Sequence, residues 1–412
     1  MKNIFNQYFQ IIKKINIYKI LIFFPLLIYL GERSLIAYDE GFYALQAKWI
    51  LNNGNWIAPM WWGDISLDRT IGIQALIAFS QKIFGQSTFS IYIPNLLASF
   101  FMLFFTYDLH KLFFEKKYAI VSPLILSTTF LWINYSHLAT QDIVFSSLIT
   151  FGLYSSIKFL KERKNIFLLG SGLWIGLAFM MKTYLTIIPL ISILPFLLYK
   201  KIFFKKLFWV GLIIGFLPFL IWSLKIISSY DLSTYSGLYK KLIYLSEKNH
   251  FSNPFSYYLW NIPINIFPWS VLAIVGIMSS LKNSNFVERY TLFFFPLINI
   301  FLLSLFSTKT PYYPLQILPL ISLNTFKGLF NTFNNKTLLN KLIKYFNFYF
   351  IPVVLIVLVF YINSNFSKLI INYNDKLLIT SGLIIFSIGW LCVGLSQSTK
   401  NKFIFALLGP YL

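Results

Sequence analysis

Long apolar segments alternate with short polar ones along most of the 412-residue chain. Many of the apolar segments approach the length of a helix that crosses a lipid bilayer, about 20 residues. Ten-residue stretches that alternate strictly between apolar and polar positions, the signature of transmembrane strands, are absent from the sequence. The pattern predicts an all-α polytopic membrane protein with about twelve transmembrane helices.

The predicted chain has three parts: a basic amphipathic cytoplasmic segment at 1–17, a transmembrane core at 18–329, and further transmembrane helices at 330–412 without a soluble domain. The core contains two large external loops, 38–87 and 227–261. The spans are placed near 18–37, 88–106, 118–136, 142–160, 166–181, 184–199, 207–226, 262–281, 290–307, 311–329, 347–363 and 377–396.

The first external loop is too long and too aromatic for a plain connector. Phe42, Leu45 and Trp49 recur at helical spacing, which predicts a short helix on the membrane surface. A second interfacial helix fits residues 70–84 and is closed by Gly85. Two amphipathic interfacial helices are therefore expected between the first two spans.

The formal net charge is +22, while 57% of the residues are hydrophobic. Most of the Lys and Arg fall on segments that this topology assigns to the cytoplasm, as the positive-inside rule requires. The charge therefore indicates membrane orientation and no nucleic-acid partner. The predicted location is a bacterial inner membrane, with the external loops in the periplasm.

Acidic residues are scarce, thirteen in the whole chain. The adjacent pair Asp39 and Glu40 follows the first predicted span, Asp68 lies later in the same loop, and Asp142 begins the fourth span. Ionisable groups at span ends cost free energy and often mark functional sites. The alternative for the pair is the N-terminal cap of a helix and nothing more.

Three cations map to the same external side: Arg69, Lys182 and Lys309. Lys and Arg stabilise a departing phosphate, and a carboxylate accepts the proton of a nucleophile. The combination predicts a substrate with an anionic leaving group. The alternative for each lysine is a side chain that extends its ammonium to the membrane surface.

The sequence contains no metal motif of His and Cys, and its single Cys392 cannot form an internal disulfide. Asp39, Glu40 and Asp142 are candidate oxygen ligands for Mg or Mn. No cofactor is required by the sequence.

Five motifs in chain order resemble those of the ArnT-like glycosyltransferases, which are GT-C-fold relatives of the dolichyl-phosphate-mannose protein mannosyltransferases. The resemblance covers roughly residues 18–325. The motifs are Tyr38-Asp39-Glu40-Gly41-Phe42-Tyr43-Ala44 with Gly54-Asn55-Trp56-Ile57-Ala58-Pro59 and Leu67-Asp68-Arg69, then His137-Leu138-Ala139-Thr140-Gln141-Asp142, Gly176 to Pro189, Phe267-Pro268-Trp269-Ser270, and Ser307-Thr308-Lys309-Thr310-Pro311-Tyr312-Tyr313-Pro314.

The chain departs from the family pattern in three places. Asp68-Arg69-Thr70-Ile71 stands for Glu-Lys-Pro-Pro, His137 stands for Arg, and Met181-Lys182-Thr183 stands for Thr-Lys-Gly. Charge type survives at the first and third places, which preserves the expected phosphate binding. The role of His137 is open.

The resemblance implies an inverting sugar transferase with a polyprenyl-phosphate-linked donor and a lipid, glycan or protein acceptor. Asp39 would be the general base, while Glu40 and Asp142 would orient the acceptor or the cations. The implied phosphate-binding residues are Arg69, Lys182, Lys309, Tyr312 and Tyr313, and the candidates for acceptor or donor contacts are Tyr43, Asp68, His137 and His250.

Two other functions fit the same polar residues in a membrane cavity. A flippase or transporter for lipid-linked glycans needs access from both sides, and often broken helices or repeats. A glycan polymerase or ligase shares the donor class and differs only in the acceptor. The carboxylates at external span ends favour the transferase.

Overall fold

A computed structural model describes residues 22–28, 30–37, 39–58, 60–61, 64–65, 69–230, 236–247, 252–335, 337–365 and 372–411. The segment predicted to be amphipathic, 1–17, lies outside the described residues. The same holds for the beginning of the first predicted span and for Asp68 and His250.

Helices make up nearly all of the regular structure in these ranges, as the apolar pattern predicted. The one sheet is a two-residue hairpin of strands β1 (Met60–Trp61) and β2 (Asp64–Ile65), with Met60 opposite Ile65. The helices of the first two thirds are α1 (Glu40–Asn53), α2 (Gly72–Phe84), α3 (Thr88–Phe113), α4 (Val121–Ser127), α5 (Phe130–Ser136), α6 (Gln141–Glu162), α7 (Asn165–Lys182), α8 (Ile187–Tyr199), α9 (Lys206–Tyr230), α10 (Ser236–Ser246), α11 (Tyr257–Asn265) and α12 (Ser270–Leu281).

The last third continues with seven more helices in the described ranges. These are α13 (Phe286–Arg289), α14 (Phe295–Leu305), α15 (Leu318–Asn334), α16 (Leu338–Tyr345), α17 (Ile351–Ser364), α18 (Tyr373–Leu395) and α19 (Thr399–Tyr411). Short 3-10 turns lie at Phe24–Leu27, Lys116–Tyr118, Thr183–Thr186 and Tyr313–Ile317, and π-helical turns at Tyr290–Phe294 and Phe346–Phe350.

The membrane class is confirmed, but the count of twelve spans is not shown. Among the described residues, 7 helices are long and apolar enough to cross a membrane, or up to 9 if each bent pair is one span. The predicted spans 166–181 and 184–199 form one 35-residue helical stretch. The bent pairs are Lys116–Ser127 with Phe130–Ser136 at 73°, and Tyr257–Asn265 with Ser270–Leu281 at 116°.

Both predicted helices of the first external loop are present, as α1 and α2. Helix α2 ends at Phe84, and Gly85 follows with a φ of +84°, a backbone conformation that suits glycine. The two helices pack together and share a buried hydrogen bond between Gln46 and Gln74. At the start of α2, Gly72 lies so close to α7 that a Cβ would be 2.4 Å from the carbonyl oxygen of Met180.

Helices α7 and α9 approach each other along a stripe of glycines. A Cβ on Gly172 would be 2.0 Å from the carbonyl oxygen of Phe208, and one on Gly176 would be 2.2 Å from backbone atoms of Gly215 and Phe216. Small residues let helix backbones pack closely in a membrane, where apolar burial provides little driving force. This contact fixes the helix that ends at Lys182.

Candidate active site

Asp39 lies immediately before α1. It occupies the N-cap position, yet within the described part of the chain its side chain makes no capping hydrogen bond. The residue is exposed. Its carboxyl is nevertheless partly buried, and this partial burial together with the nearby Asp142 charge raises the pKa of Asp39, while Arg69 and Lys182 oppose that rise. Asp39 is therefore an accessible carboxylate with increased basicity.

Glu40 has the opposite environment, with no exposed surface. The guanidinium of Arg33 donates two hydrogen bonds to its carboxylate, at 2.7 and 2.8 Å. The backbone N–H groups of Ile36 and Ala139 donate two more, at 3.0 and 2.8 Å. Glu40 thus orients a cation and a backbone loop, and its oxygens are occupied.

Asp142 and Lys182 form a buried ion pair between the start of α6 and the end of α7. The ammonium donates to Oδ1, and the Thr140 hydroxyl donates to Oδ2 at 2.8 Å. A carboxylate in the first turn and a cation in the last turn also suit the two helix dipoles. After Lys182 the chain turns sharply, with a φ of +43° at Thr183, a strained conformation for a β-branched residue.

Aromatic rings surround the Lys182 ammonium. The ring centroids of Tyr312 and Tyr313 lie 5.0 and 5.4 Å from Nζ, and that of Phe145 lies at 5.6 Å. Tyr135 packs against Tyr312 with its centroid 5.2 Å away. The structure therefore brings together Asp142, Lys182 and both tyrosines that the sequence singled out, and it adds Tyr135, which the sequence analysis missed.

Arg69 joins the site from the connection that leads to α2. Its guanidinium donates to the Tyr43 hydroxyl at 2.6 Å and lies 4.7 Å from the centroid of Phe42. Burial raises the pKa of Tyr43 to about 12, although Arg69 acts against that rise. Since Arg69 also lowers the pKa of Asp39, its charge reaches the candidate base.

Lys309 is buried but contacts a different part of the fold. Its ammonium donates to the backbone carbonyls of Asn253, at 2.8 Å, and Phe306. Burial lowers the pKa of Lys309. Within the described ranges, its hydrogen bonds join the loop before Tyr312 to the second external loop and do not reach the Lys182 pair.

Two cavities lie beside the turn that follows α7. The smaller one, about 10 Å³, is lined by Asp142, Lys182, Tyr312 and Tyr313 among others. It shares Ile188 with a groove of about 400 Å³. That groove is largely apolar, lined by Tyr184, Ile187, Ile188, Ile191, Leu302, Leu305, Phe306 and Ser307.

His137 lines a third and larger cavity, of about 830 Å³, together with Arg33, Tyr135 and Tyr411. Its Nδ1 is 2.9 Å from the carbonyl oxygen of Ile133. The predicted contact of His137 with acceptor or donor therefore has a cavity beside it, and it stays a prediction.

The arrangement does not fit a cation held by Asp39, Glu40 and Asp142. Arg33 and two backbone N–H groups occupy the Glu40 carboxylate, and Lys182 and Thr140 occupy that of Asp142. In the ranges that the structure describes, no three His, Cys, Asp or Glu side chains are grouped so that they could hold a metal ion. Dependence on Mg or Mn stays a prediction for an activity assay.

Comparison with known proteins gives consistent results. The family profile of dolichyl-phosphate-mannose-protein mannosyltransferases matches residues 68–222. The chain is 27% identical over 314 residues to an undecaprenyl phosphate-alpha-4-amino-4-deoxy-L-arabinose arabinosyl transferase of Yersinia enterocolitica, covering 72% of this chain and 56% of that protein. It is 25% identical over 322 residues to an uncharacterized protein of Aquifex aeolicus, covering 74% of this chain and 62% of that protein.

The structural match is closer to full length. The crystal structure of ArnT from Cupriavidus metallidurans bound to undecaprenyl phosphate superposes with a TM-score of 0.81 at 12% identity, covering 96% of this chain and 74% of that one. The apo structure of the same protein superposes with a TM-score of 0.72, covering 98% of this chain and 75% of that one.

These matches define an integral membrane protein of the GT-C fold. The likeness agrees with the motifs of the sequence: the chain resembles ArnT in fold, and its residues 68–222 match the profile of the dolichyl-phosphate-mannose-protein mannosyltransferases. The chain spans about three fifths of the length of the first curated relatives it matches.

Proposed function

We propose that this chain is a membrane glycosyltransferase that moves a sugar from a polyprenyl-phosphate-linked donor to an acceptor hydroxyl. The observation that carries the proposal is the presence of an exposed carboxylate, Asp39, and a buried cation, Lys182, whose cavity shares the lining residue Ile188 with an apolar groove. A donor of this class has an anionic head and an apolar tail. Lys182 suits the anionic head by its charge, and the groove suits the apolar tail.

Asp39 acts as the general base in this proposal. Its carboxylate takes the proton of the acceptor hydroxyl while the hydroxyl oxygen forms a bond to the anomeric carbon. The bond from that carbon to the phosphate oxygen breaks, and the phosphate leaves with the electron pair as polyprenyl phosphate. Attack opposite the leaving group inverts the configuration of the sugar.

Lys182 stabilises the negative charge that grows on the phosphate. Its ammonium donates to Asp142 and lies over the rings of Tyr312 and Tyr313. A low-dielectric site strengthens such contacts. Arg69 adds a second cation near Asp39, and Lys309 supports the loop that carries the tyrosines.

The groove beside Ile188 suits the polyprenyl tail. It lies between α8 and α14, and exposed apolar residues such as Ile187, Ile191 and Leu305 border it. A tail seated there stays in lipid while its head reaches Lys182. The Cupriavidus ArnT structure is one bound to undecaprenyl phosphate, a ligand with this combination of head and tail.

The proposed location is a bacterial inner membrane with the site facing the periplasm. The support is the asymmetry of the sequence, since the basic residues Lys161, Arg163 and Lys164 lie at the opposite ends of the two helices that carry Asp142 and Lys182. The sugar, a hexose or a pentose, and the acceptor, a lipid, glycan or protein, are left to the assay.

The test uses the purified chain in lipid vesicles with polyprenyl-phosphate sugars and candidate acceptors, with and without EDTA. Product formation and donor binding are followed separately. Asp39→Asn keeps size and hydrogen bonding but removes basicity, so donor still binds while transfer falls by about 10²-fold or more. A mere helix cap gives the opposite result, because Asn caps as well as Asp. Unchanged transfer by this variant would refute the base assignment.

A wild type that binds donor yet forms no product with lipid, glycan or protein acceptors would contradict the transferase. In that case, movement of labelled donor across the vesicle membrane is measured, which is the property of a transporter.

A further inference from the structure

Arg33 lies six residues before Asp39 and makes several polar contacts beside the site. Its two terminal nitrogens form a fork on the fully buried Glu40 carboxylate, at 2.7 and 2.8 Å. The same guanidinium donates to the carbonyl oxygen of His137, at 2.8 Å, which is 104 residues away in the chain. A planar guanidinium can satisfy a carboxylate and a carbonyl at once, whereas a lysine ammonium has no such fork.

The loop from His137 to Thr140 is held on three sides. Arg33 bonds its first carbonyl, and Glu40 accepts the Ala139 N–H at 2.8 Å. From α3, the side-chain amide of Asn95 donates to the carbonyl oxygens of Leu138 and Thr140, the latter at 2.7 Å. A short connection with this many hydrogen bonds has one defined position.

That loop leads directly into the phosphate end of the site. The Thr140 hydroxyl donates to Asp142 at 2.8 Å, and Asp142 accepts from Lys182 through its other oxygen. At its other end the same network includes Glu40, the residue covalently next to Asp39. One polar network therefore joins the candidate base to the candidate phosphate cation.

We propose that Arg33 is a positioning residue that fixes Asp39 in register with Asp142 and Lys182. The inference rests on the proposed function above, and it adds a residue that the family motifs of this chain do not contain. Arg33 does not touch the reacting groups. It acts through Glu40 on one side and through the carbonyl of His137 on the other.

The simpler alternative is an ion pair that stabilises the fold and has no bearing on transfer. The chain offers a matched control, since Glu288 and Lys327 form another partly buried pair at 2.7 Å between α13 and α15. The Arg33 pair joins the loop at His137 to Glu40, the neighbour of Asp39, and the control pair lies on other helices. Loss of either pair tests stability, and only loss of the first tests positioning.

The first measurement is hydrogen exchange at single amides and does not depend on activity. The Ala139 N–H donates to Glu40, so Arg33→Gln exposes that amide to faster exchange. Lys327→Gln leaves its exchange at the wild-type rate. Equal exchange of Ala139 in wild type and Arg33→Gln would overturn the proposal, whether or not the protein transfers sugar.

The second measurement separates kcat from donor affinity. In Arg33→Gln, kcat falls about tenfold to a hundredfold, the scale of an ångström-sized misplacement, while donor affinity changes less than about threefold. Arg33→Lys keeps the charge and serves as the test variant if Arg33→Gln does not fold. Its kcat lies between those of the wild type and Arg33→Gln. Lys327→Gln keeps kcat within about twofold of wild type.

The outcomes distinguish the two hypotheses. A wild type without transferase activity overturns the proposed function, and amide exchange still decides whether Arg33 fixes the loop. An active wild type with full kcat in folded Arg33→Gln overturns the positioning role alone. A loss of kcat in Lys327→Gln equal to that in Arg33→Gln likewise assigns the effect to general stability.

Discussion

Lys182 is the residue whose replacement best separates a phosphate-binding role from a structural one. Its side chain is 5% exposed in the ion pair, and Asp142 has one further hydrogen-bond donor, the Thr140 hydroxyl. Lys182→Met keeps most of the side-chain length but leaves Asp142 as a buried carboxylate without its cation. Breaking a buried pair in this way costs about 3–5 kcal/mol of stability.

The second consequence concerns the transition state. If the Lys182 ammonium stabilises the departing phosphate, its loss costs about 2.7–4 kcal/mol of barrier, the scale of removing one oxyanion donor. We therefore expect kcat/KM for the donor to fall about 10²–10³-fold. The loss of stability arises from the unpaired Asp142 carboxylate, and the higher barrier arises from the departing phosphate. A second substitution, at Asp142, can therefore separate the two effects.

Lys182→Met combined with Asp142→Asn removes the unpaired carboxylate. Thermal stability in detergent should return toward wild type, whereas turnover should stay well below that of Asp142→Asn alone. The assay follows polyprenyl-phosphate release and sugar transfer by the four proteins in the same vesicles. Equal turnover of the double variant and Asp142→Asn would show that Lys182 only neutralises Asp142.

Two further predictions use other contacts. Because Asp39 must be deprotonated to act as a base, transfer should fall as the pH drops through its raised pKa. The Arg69 charge acts to lower that pKa, so Arg69→Met should move the midpoint of the acid limb of the pH–activity profile to higher pH. Arg69→Lys keeps the charge and should not move it. Gly176→Ala places a Cβ 2.2 Å from Gly215 and should destabilise the protein by about 1–3 kcal/mol in a thermal assay. Gly382→Ala, with no atom within 4 Å of its Cβ, should not.

Local sequence signals predicted the first external loop well. The 70–84 helix is Gly72–Phe84 in the structure, because apolar periodicity and a terminal glycine act within a few residues of each other. The number of transmembrane spans was harder to predict from the sequence. The predicted spans 166–181 and 184–199 form one 35-residue stretch at Asn165–Tyr199, and two bent helix pairs can each be counted as one span.

The candidate site shows the same division between local and distant signals. The scarcity of acids pointed to Asp142, and its pairing with Lys182 was within reach of the prediction that carboxylates and cations converge. The role of Arg33 could not be predicted, because its partner at His137 is 104 residues away. That partner is a backbone carbonyl, which every residue type has, so the sequence gives no sign of it. Tyr135 likewise reaches Tyr312 only through the tertiary fold.

The adjacent carboxylates of the Asp39-Glu40 pair differ in a way that a helix cap does not explain. A cap needs a side-chain acceptor aimed at the first turn of α1, and in the described part of the chain Asp39 makes no such bond. Glu40 is buried and accepts four hydrogen bonds from Arg33, Ile36 and Ala139. One carboxylate is thus immobilised so that its neighbour stays exposed at a fixed position, and this division is what a general base requires: a free oxygen on a rigid support.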